Sequence, residues 1–214
     1  MRCSNLALEP VLDAEGPLNI AIIHEQEQDV ALLWAVHQVA KDRGLGNMTK
    51  LSIADVLAGA LQTTHYDVMV IGRLYAYQNG QGTDRTELPL AFRDAIDLAL
   101  QNGSGVMTEW QGATAMFNEP GLLPTFQITP SWNWFSGNLH GAISFDTVFH
   151  NVAPEHPIMQ GLPETFSNSK INSCYLMWDQ PDPALEVLAT VELTDGNTLP
   201  AILSTQRHRG QIVI

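Results

Sequence analysis

The side chains best suited to chemistry fall where three apolar runs give way to polar residues. His24 and Glu25 follow Leu18 to Ile23, Arg73 and Tyr75 follow Tyr66 to Gly72, and Thr108, Glu109 and Trp110 follow Ser104 to Met107. An imidazole, two carboxylates and a guanidinium brought together suit general acid–base work on a polar ligand, or the binding of a hard or borderline metal. His24 and Glu109 are the candidate catalytic pair; Arg73, Tyr75, Thr108 and Trp110 are candidate ligand contacts. The competing reading makes Glu109 the cap of the following helix and Arg73 its ion-pair partner, and both stay open.

Further along, His140, His150 and His156 lie close in sequence. His140, beside Asn138 and Gly141, is the one expected to face a cleft, whereas His156 reads as the turn residue of a His-Pro pair. Trp132, Trp134 and Phe135 either line a ligand cleft, where exposed indoles can bury against a sugar ring or a partner, or anchor their loop on the core. No His-Glu-x-x-His or His-x3-His spacing occurs, and two cysteines, Cys3 and Cys174, cannot build a thiolate zinc site. No metal and no cofactor is therefore expected. Gly-x-Gly-x-x-Gly after the first strand, Gly-x4-Gly-Lys-Ser/Thr and Gly-x-Ser-x-Gly are all missing, which disfavours a dinucleotide site, a P-loop and a serine hydrolase elbow.

These residues need elements to position them. Leu18 to His24 is a β-branched run with little alternation, the signature of a strand buried on both faces. Val30 to Arg43 has helical spacing and Gly44 is its stop. Lys50 to Ile53 reads as a second strand, Asp55 to Leu61 as a short helix, Tyr66 to Gly72 as a third strand, Glu87 to Gln101 as an amphipathic helix and Ser104 to Thr108 as a fourth strand. Alternation of this kind predicts parallel strands joined by right-handed crossovers, in the doubly wound, flavodoxin-like manner with helices on both faces. From residue 116 to about residue 137, Pro120, Pro124 and Pro130 mark a long ordered excursion. Asn172 to Trp178, Leu185 to Leu193, Leu199 to Ser204 and Gln211 to Ile214 read as short extra strands, with Asp195-Gly196-Asn197 a hairpin turn. Residues 1–17 are an N-terminal extension and residues 18–214 one domain; a chain that stops inside the apolar run Ile212-Val213-Ile214 is expected to continue.

His156-Pro157-Ile158-Met159-Gln160-Gly161-Leu162-Pro163, followed by Glu186-Val187-Leu188-Ala189-Thr190, Asp195-Gly196, Leu199-Pro200-Ala201 and Arg209-Gly210-Gln211-Ile212-Val213, resembles the ThuA-like (trehalose-utilisation) group of the class I glutamine amidotransferase-like superfamily over residues 18–214. The resemblance implies a flavodoxin-like sheet whose active-site position is the turn after the fourth strand, where true amidotransferases carry a nucleophilic cysteine backed by a late His and Glu. Here that turn reads Met107-Thr108-Glu109-Trp110-Gln111-Gly112, with no cysteine. Amide hydrolysis needs the thiolate, so glutaminase activity is not expected. Two functions follow: a non-catalytic binding or assembly module, or a ThuA-like enzyme using His24, Glu109 and His140 on a sugar or sugar-derived substrate.

Composition narrows the partners. Of 214 residues 45% are hydrophobic and 15% charged, which describes a globular chain with a buried core. A net charge of −13 repels nucleic acid and anionic membrane surfaces, and the ten basic residues are scattered. Expected partners are a small polar ligand or sugar, or a protein, including a second copy. Acidic residues Glu9, Asp13 and Glu15 interrupt any leader-like apolar run, so a cytoplasmic location is expected.

Overall fold

The computed structural model describes residues 17–25, 42, 44, 46–72, 88–108, 135–144, 148–167, 173–181, 184–192 and 198–214. Strand β1 (Leu18–His24) is central to its half of the sheet: Ile20, Ala21, Ile22 and Ile23 are all buried, so both faces of the strand are covered. β1 pairs in parallel with β2 (Gly46–Ser52) on one side and β3 (Val68–Ile71) on the other, and β3 continues in parallel to β4 (Gly105–Thr108).

Helices punctuate this part of the chain as local chemistry dictates. Ser52 stops β2 and starts helix α1 (Ile53–Leu57) through a reciprocal capping box with Asp55, which is why the strand ends one residue short of the apolar Ile53. A second short helix, α2 (Ala60–Thr63), follows. Helix α3 (Leu90–Gln101) begins after Pro89, which caps it in an extended conformation and whose ring disfavours helical geometry at Leu88. It buries Phe92, Ala95, Ile96, Ala99 and Leu100 at helical spacing. Gly103, at φ +97°, closes α3: its N–H donates to Leu100 and that of Ser104 to Ala99, the paired bonds of a Schellman end.

The three helices α1, α2 and α3 pack in one cluster with Ala21, Ile23, Met69, Ile71 and Val106 from one face of the sheet. Ile20, Ile22 and Val70 form a separate cluster on the other face.

Past residue 134 the architecture departs from expectation. β5 (Phe135–Ser144) and β8 (Ser173–Pro181) pair antiparallel as a sheet of their own, so the end of the expected irregular excursion is a strand. β6 (Val148–Asn151), β7 (Thr165–Ser167), β9 (Glu186–Glu192), β10 (Thr198–Arg207) and β11 (Gly210–Val213) all join the main sheet. Its order is β2-β1-β3-β4-β11-β10-β9-β6-β7. The mainly parallel, flavodoxin-like sheet with helices on both faces is thus corrected to a mixed nine-stranded sheet. Four of its pairings are parallel and four antiparallel, and β5·β8 makes antiparallel pairing the majority. The described helices lie on one face.

For β9, β10 and β11, connection length is the physical reason. A parallel return needs a crossover of roughly a dozen residues or more, whereas a tight link can only fold a strand back beside its predecessor. Only His208 and Arg209 separate β10 from β11, with His208 at φ +55° in the turn, and residues 193–197 separate β9 from β10. β11 then inserts beside β4 in parallel and welds the two halves into one sheet. At that seam Gly210 is obligatory in size, since a Cβ there would stand 2.1 Å from the Ser104 carbonyl oxygen and 2.6 Å from Leu100. Among the described residues no helix is long and apolar enough to cross a membrane.

Candidate functional site

Ligands of open sheets with parallel strands gather at the carboxyl ends of those strands. In this chain the described part of that edge holds His24 at the end of β1, Ser52 at the end of β2 and Thr108 at the end of β4. His24 lies abreast of Ser52 across the β1–β2 ladder, so the two side chains leave the same face. Ile23, Ile71 and Thr108 lie abreast across β1, β3 and β4. Thr108 therefore projects from the opposite face to His24, two strand spacings or about 10 Å away. The edge does not bring these two predicted residues onto one reacting atom.

Both are nevertheless unusual. His24 is 9% exposed and Thr108 4% exposed, and neither the His24 Nδ1 nor the Thr108 hydroxyl has a hydrogen-bond partner. Buried polar atoms are nearly always paired, because leaving one unpaired costs about 1–3 kcal/mol. Asn151 Nδ2, elsewhere in the sheet at the end of β6, shares this state while its Oδ1 accepts from the Ala153 N–H at 3.2 Å.

Ser52 and Asp55 are the neighbours of His24 that residue spacing identifies only as a helix start. The Ser52 hydroxyl donates to Asp55 Oδ2 at 2.6 Å, the Ser52 N–H donates to the same carboxylate at 2.8 Å, and the Asp55 N–H donates back to the hydroxyl. These two bonds from Ser52 hold the Asp55 carboxyl below its ordinary value against the opposing effect of desolvation, and the nearby charge of His24 adds a lesser lowering. Serine, histidine and aspartate are thus gathered, but in an order that does not activate a nucleophile. Hydrolases of the serine type place the imidazole between hydroxyl and carboxylate, where it takes the hydroxyl proton. Here the hydroxyl is bonded directly to a carboxylate that is a weakened base, and the pair caps a helix.

The remaining candidates divide simply. Arg73, Tyr75, Glu109, Trp110, Trp132 and Trp134 lie outside the described residues, as do most of the expected helix 30–43 and the turn 195–197. His140 sits within β5, opposite Met177 of β8. His156 serves its turn: its Nδ1 accepts from the Ile158 N–H at 3.2 Å and its Nε2 stands 3.8 Å from Glu186. Among the described residues no group of three or more His, Cys, Asp or Glu side chains is arranged to hold a metal ion.

No protein-family model matches the chain. A curated esterase, mokD of Monascus pilosus, is 28% identical over 121 residues, which is 49% of this chain and 41% of that protein. Among solved structures, a GH42 β-galactosidase from G. stearothermophilus superposes with a TM-score of 0.57 at 11% identity, covering 92% of this chain and 27% of its own. The β-galactosidase of Bacillus circulans sp. alkalophilus gives 0.53 at 12% identity, over 94% and 29%. That of Rahnella sp. R3 gives 0.50 at 15% identity, over 91% and 28%. The chain therefore spans less than half of the curated relative and under a third of these structures. At such identities the likeness concerns the fold alone, and it is shared with β-galactosidases where a flavodoxin-like domain was expected.

Proposed function

We propose that this chain is a non-catalytic module that works by assembly, associating with a second copy of itself, and that it belongs to a carbohydrate-processing context in the cytoplasm. The observation that carries the non-catalytic half is the Ser52–Asp55 bond, which commits the hydroxyl abreast of His24, and the carboxylate it bonds, to capping α1. Support for the module half comes from coverage: nearly all of this chain corresponds to little more than a quarter of each β-galactosidase.

A surface suited to association accompanies this. Val148, Val152, Ile158 and Leu162 are large apolar side chains with 39–50% of their surface exposed, all within the segment that runs from β6 to β7. β7 is three residues long and closes one margin of the sheet. Exposed apolar side chains concentrated beside an open sheet margin favour burial against a partner.

The unpartnered His24 Nδ1 favours a second reading, an enzyme acting on a sugar-derived substrate with His24 as its base. Hydrolysis assays with p-nitrophenyl acetate and p-nitrophenyl β-galactoside separate the two. The module reading predicts no turnover above buffer; saturable turnover that disappears in His24→Ala would establish the enzyme instead.

A further inference from the structure

A concavity lies at the other end of the parallel strands, where the chain enters β3 and β4. It encloses about 270 Å³ between the loop after α2 and the end of α3. Its polar lining consists of Gln62, Thr63, Thr64, His65, Tyr66, Asn102 and Ser104, with buried Leu61 and Met69 behind them. Tyr66 and Ser104 are almost wholly buried, at 6% and 2% exposure. The Thr63 hydroxyl is occupied by the Gly59 and Ala60 carbonyls, and the His65 ring stands 3.6 Å from Asp67. Among the described residues, no hydrogen bond occupies the side chains of Gln62, Thr64, Tyr66, Asn102 or Ser104.

From this lining we propose that the cleft binds a small neutral polyhydroxylated molecule, such as a single sugar ring. Amides and hydroxyls can each donate and accept, which matches the alternating donors and acceptors of a sugar. An anion is disfavoured three ways: no Lys or Arg lines the cleft, α3 presents the negative end of its dipole there, and Asp67 stands next to His65. A cation finds no lining carboxylate to pair with. The volume lies just under the roughly 300–1,000 Å³ of drug-sized ligand sites, which limits the occupant to about one ring. The inference does not depend on the assembly reading, since a monomer and an oligomer present the same cleft.

Amide-resolved NMR titration of the whole chain with D-galactose and D-glucose tests it, with galacturonate and glucosamine as charged counterparts. Expected are saturable shifts confined to residues 61–66 and 99–104, with a dissociation constant on the order of 1 mM. Tyr66→Phe, which removes one hydroxyl, weakens binding about 3- to 10-fold, as does Asn102→Ala. Gln62→Ala, on the surface of α2, gives the same readout should Tyr66→Phe fail to fold. Absence of saturable shifts with both neutral sugars, shifts centred elsewhere, indifference to these variants, or tighter binding of galacturonate or glucosamine would each overturn the proposal.

Discussion

Ser52 shows how a side chain that could be a nucleophile is diverted to structure. Its hydroxyl and its N–H both donate to Asp55 Oδ2, and His24, although abreast of Ser52 in the ladder, has its Nδ1 unpartnered. If His24 has no catalytic duty, its buried ring nitrogen is a liability, and His24→Leu should leave stability within about 1 kcal/mol of the parent or raise it. Urea denaturation followed by circular dichroism reads this directly; a loss of several kcal/mol would show that the imidazole makes an important bond.

Asp97 offers a pH-dependent counterpart. Partial burial pushes its carboxyl up, but hydrogen bonds from Arg207 and His208, the Arg207 charge and Gln101 outweigh this and leave it below its ordinary value. A carboxyl lowered by folding stabilises above its unfolded value, about 3.9, and loses that contribution as pH falls through the folded one. Asp97→Asn should therefore cost about 1 kcal/mol at neutral pH. The difference from the parent should shrink steadily below about pH 4, as urea midpoints measured across pH would show.

At the scale of elements, the legible parts were those whose chemistry is local. β1 announces itself by an unbroken β-branched run, α3 by helical spacing ahead of Asn102-Gly103, and β4 by its short apolar stretch. Boundaries moved where a single residue decided: Pro89 delays α3 to Leu90, and Ser52 turns Ile53 from strand to helix. β6 and β7, at four and three residues, are too short to carry a period, and β5 interleaves glycine and polar residues whose strand character depends on pairing with β8. Which neighbours the late strands would choose was not legible either, because that is fixed by link length and by the space beside β4. The seam between β11 and α3 makes this testable. Gly210→Ala places a methyl group against the Ser104 backbone and Leu100, and should destabilise the fold by about 2–3 kcal/mol in thermal or urea unfolding. An unchanged midpoint would mean that β11 does not insert where the structure puts it.

For the whole molecule, the sequence places the candidate residues at the ends of parallel strands but does not disclose their arrangement. The sheet's alternation sends His24 and Thr108 to opposite faces, a relation that exists only once the β1–β3–β4 register is known. Four of the eight large apolar side chains exposed among the described residues lie from Val148 to Leu162, beside a short marginal strand, on a chain with a formal charge of −13 that resists nonspecific clumping. Sedimentation velocity over a wide range of protein concentration tests the assembly claim most directly. The account predicts a reversible species heavier than the 23.5 kDa single chain, dispersed to that mass by Val152→Asp together with Leu162→Asp. A single-chain mass at every concentration, or an oligomer indifferent to both substitutions, would contradict it.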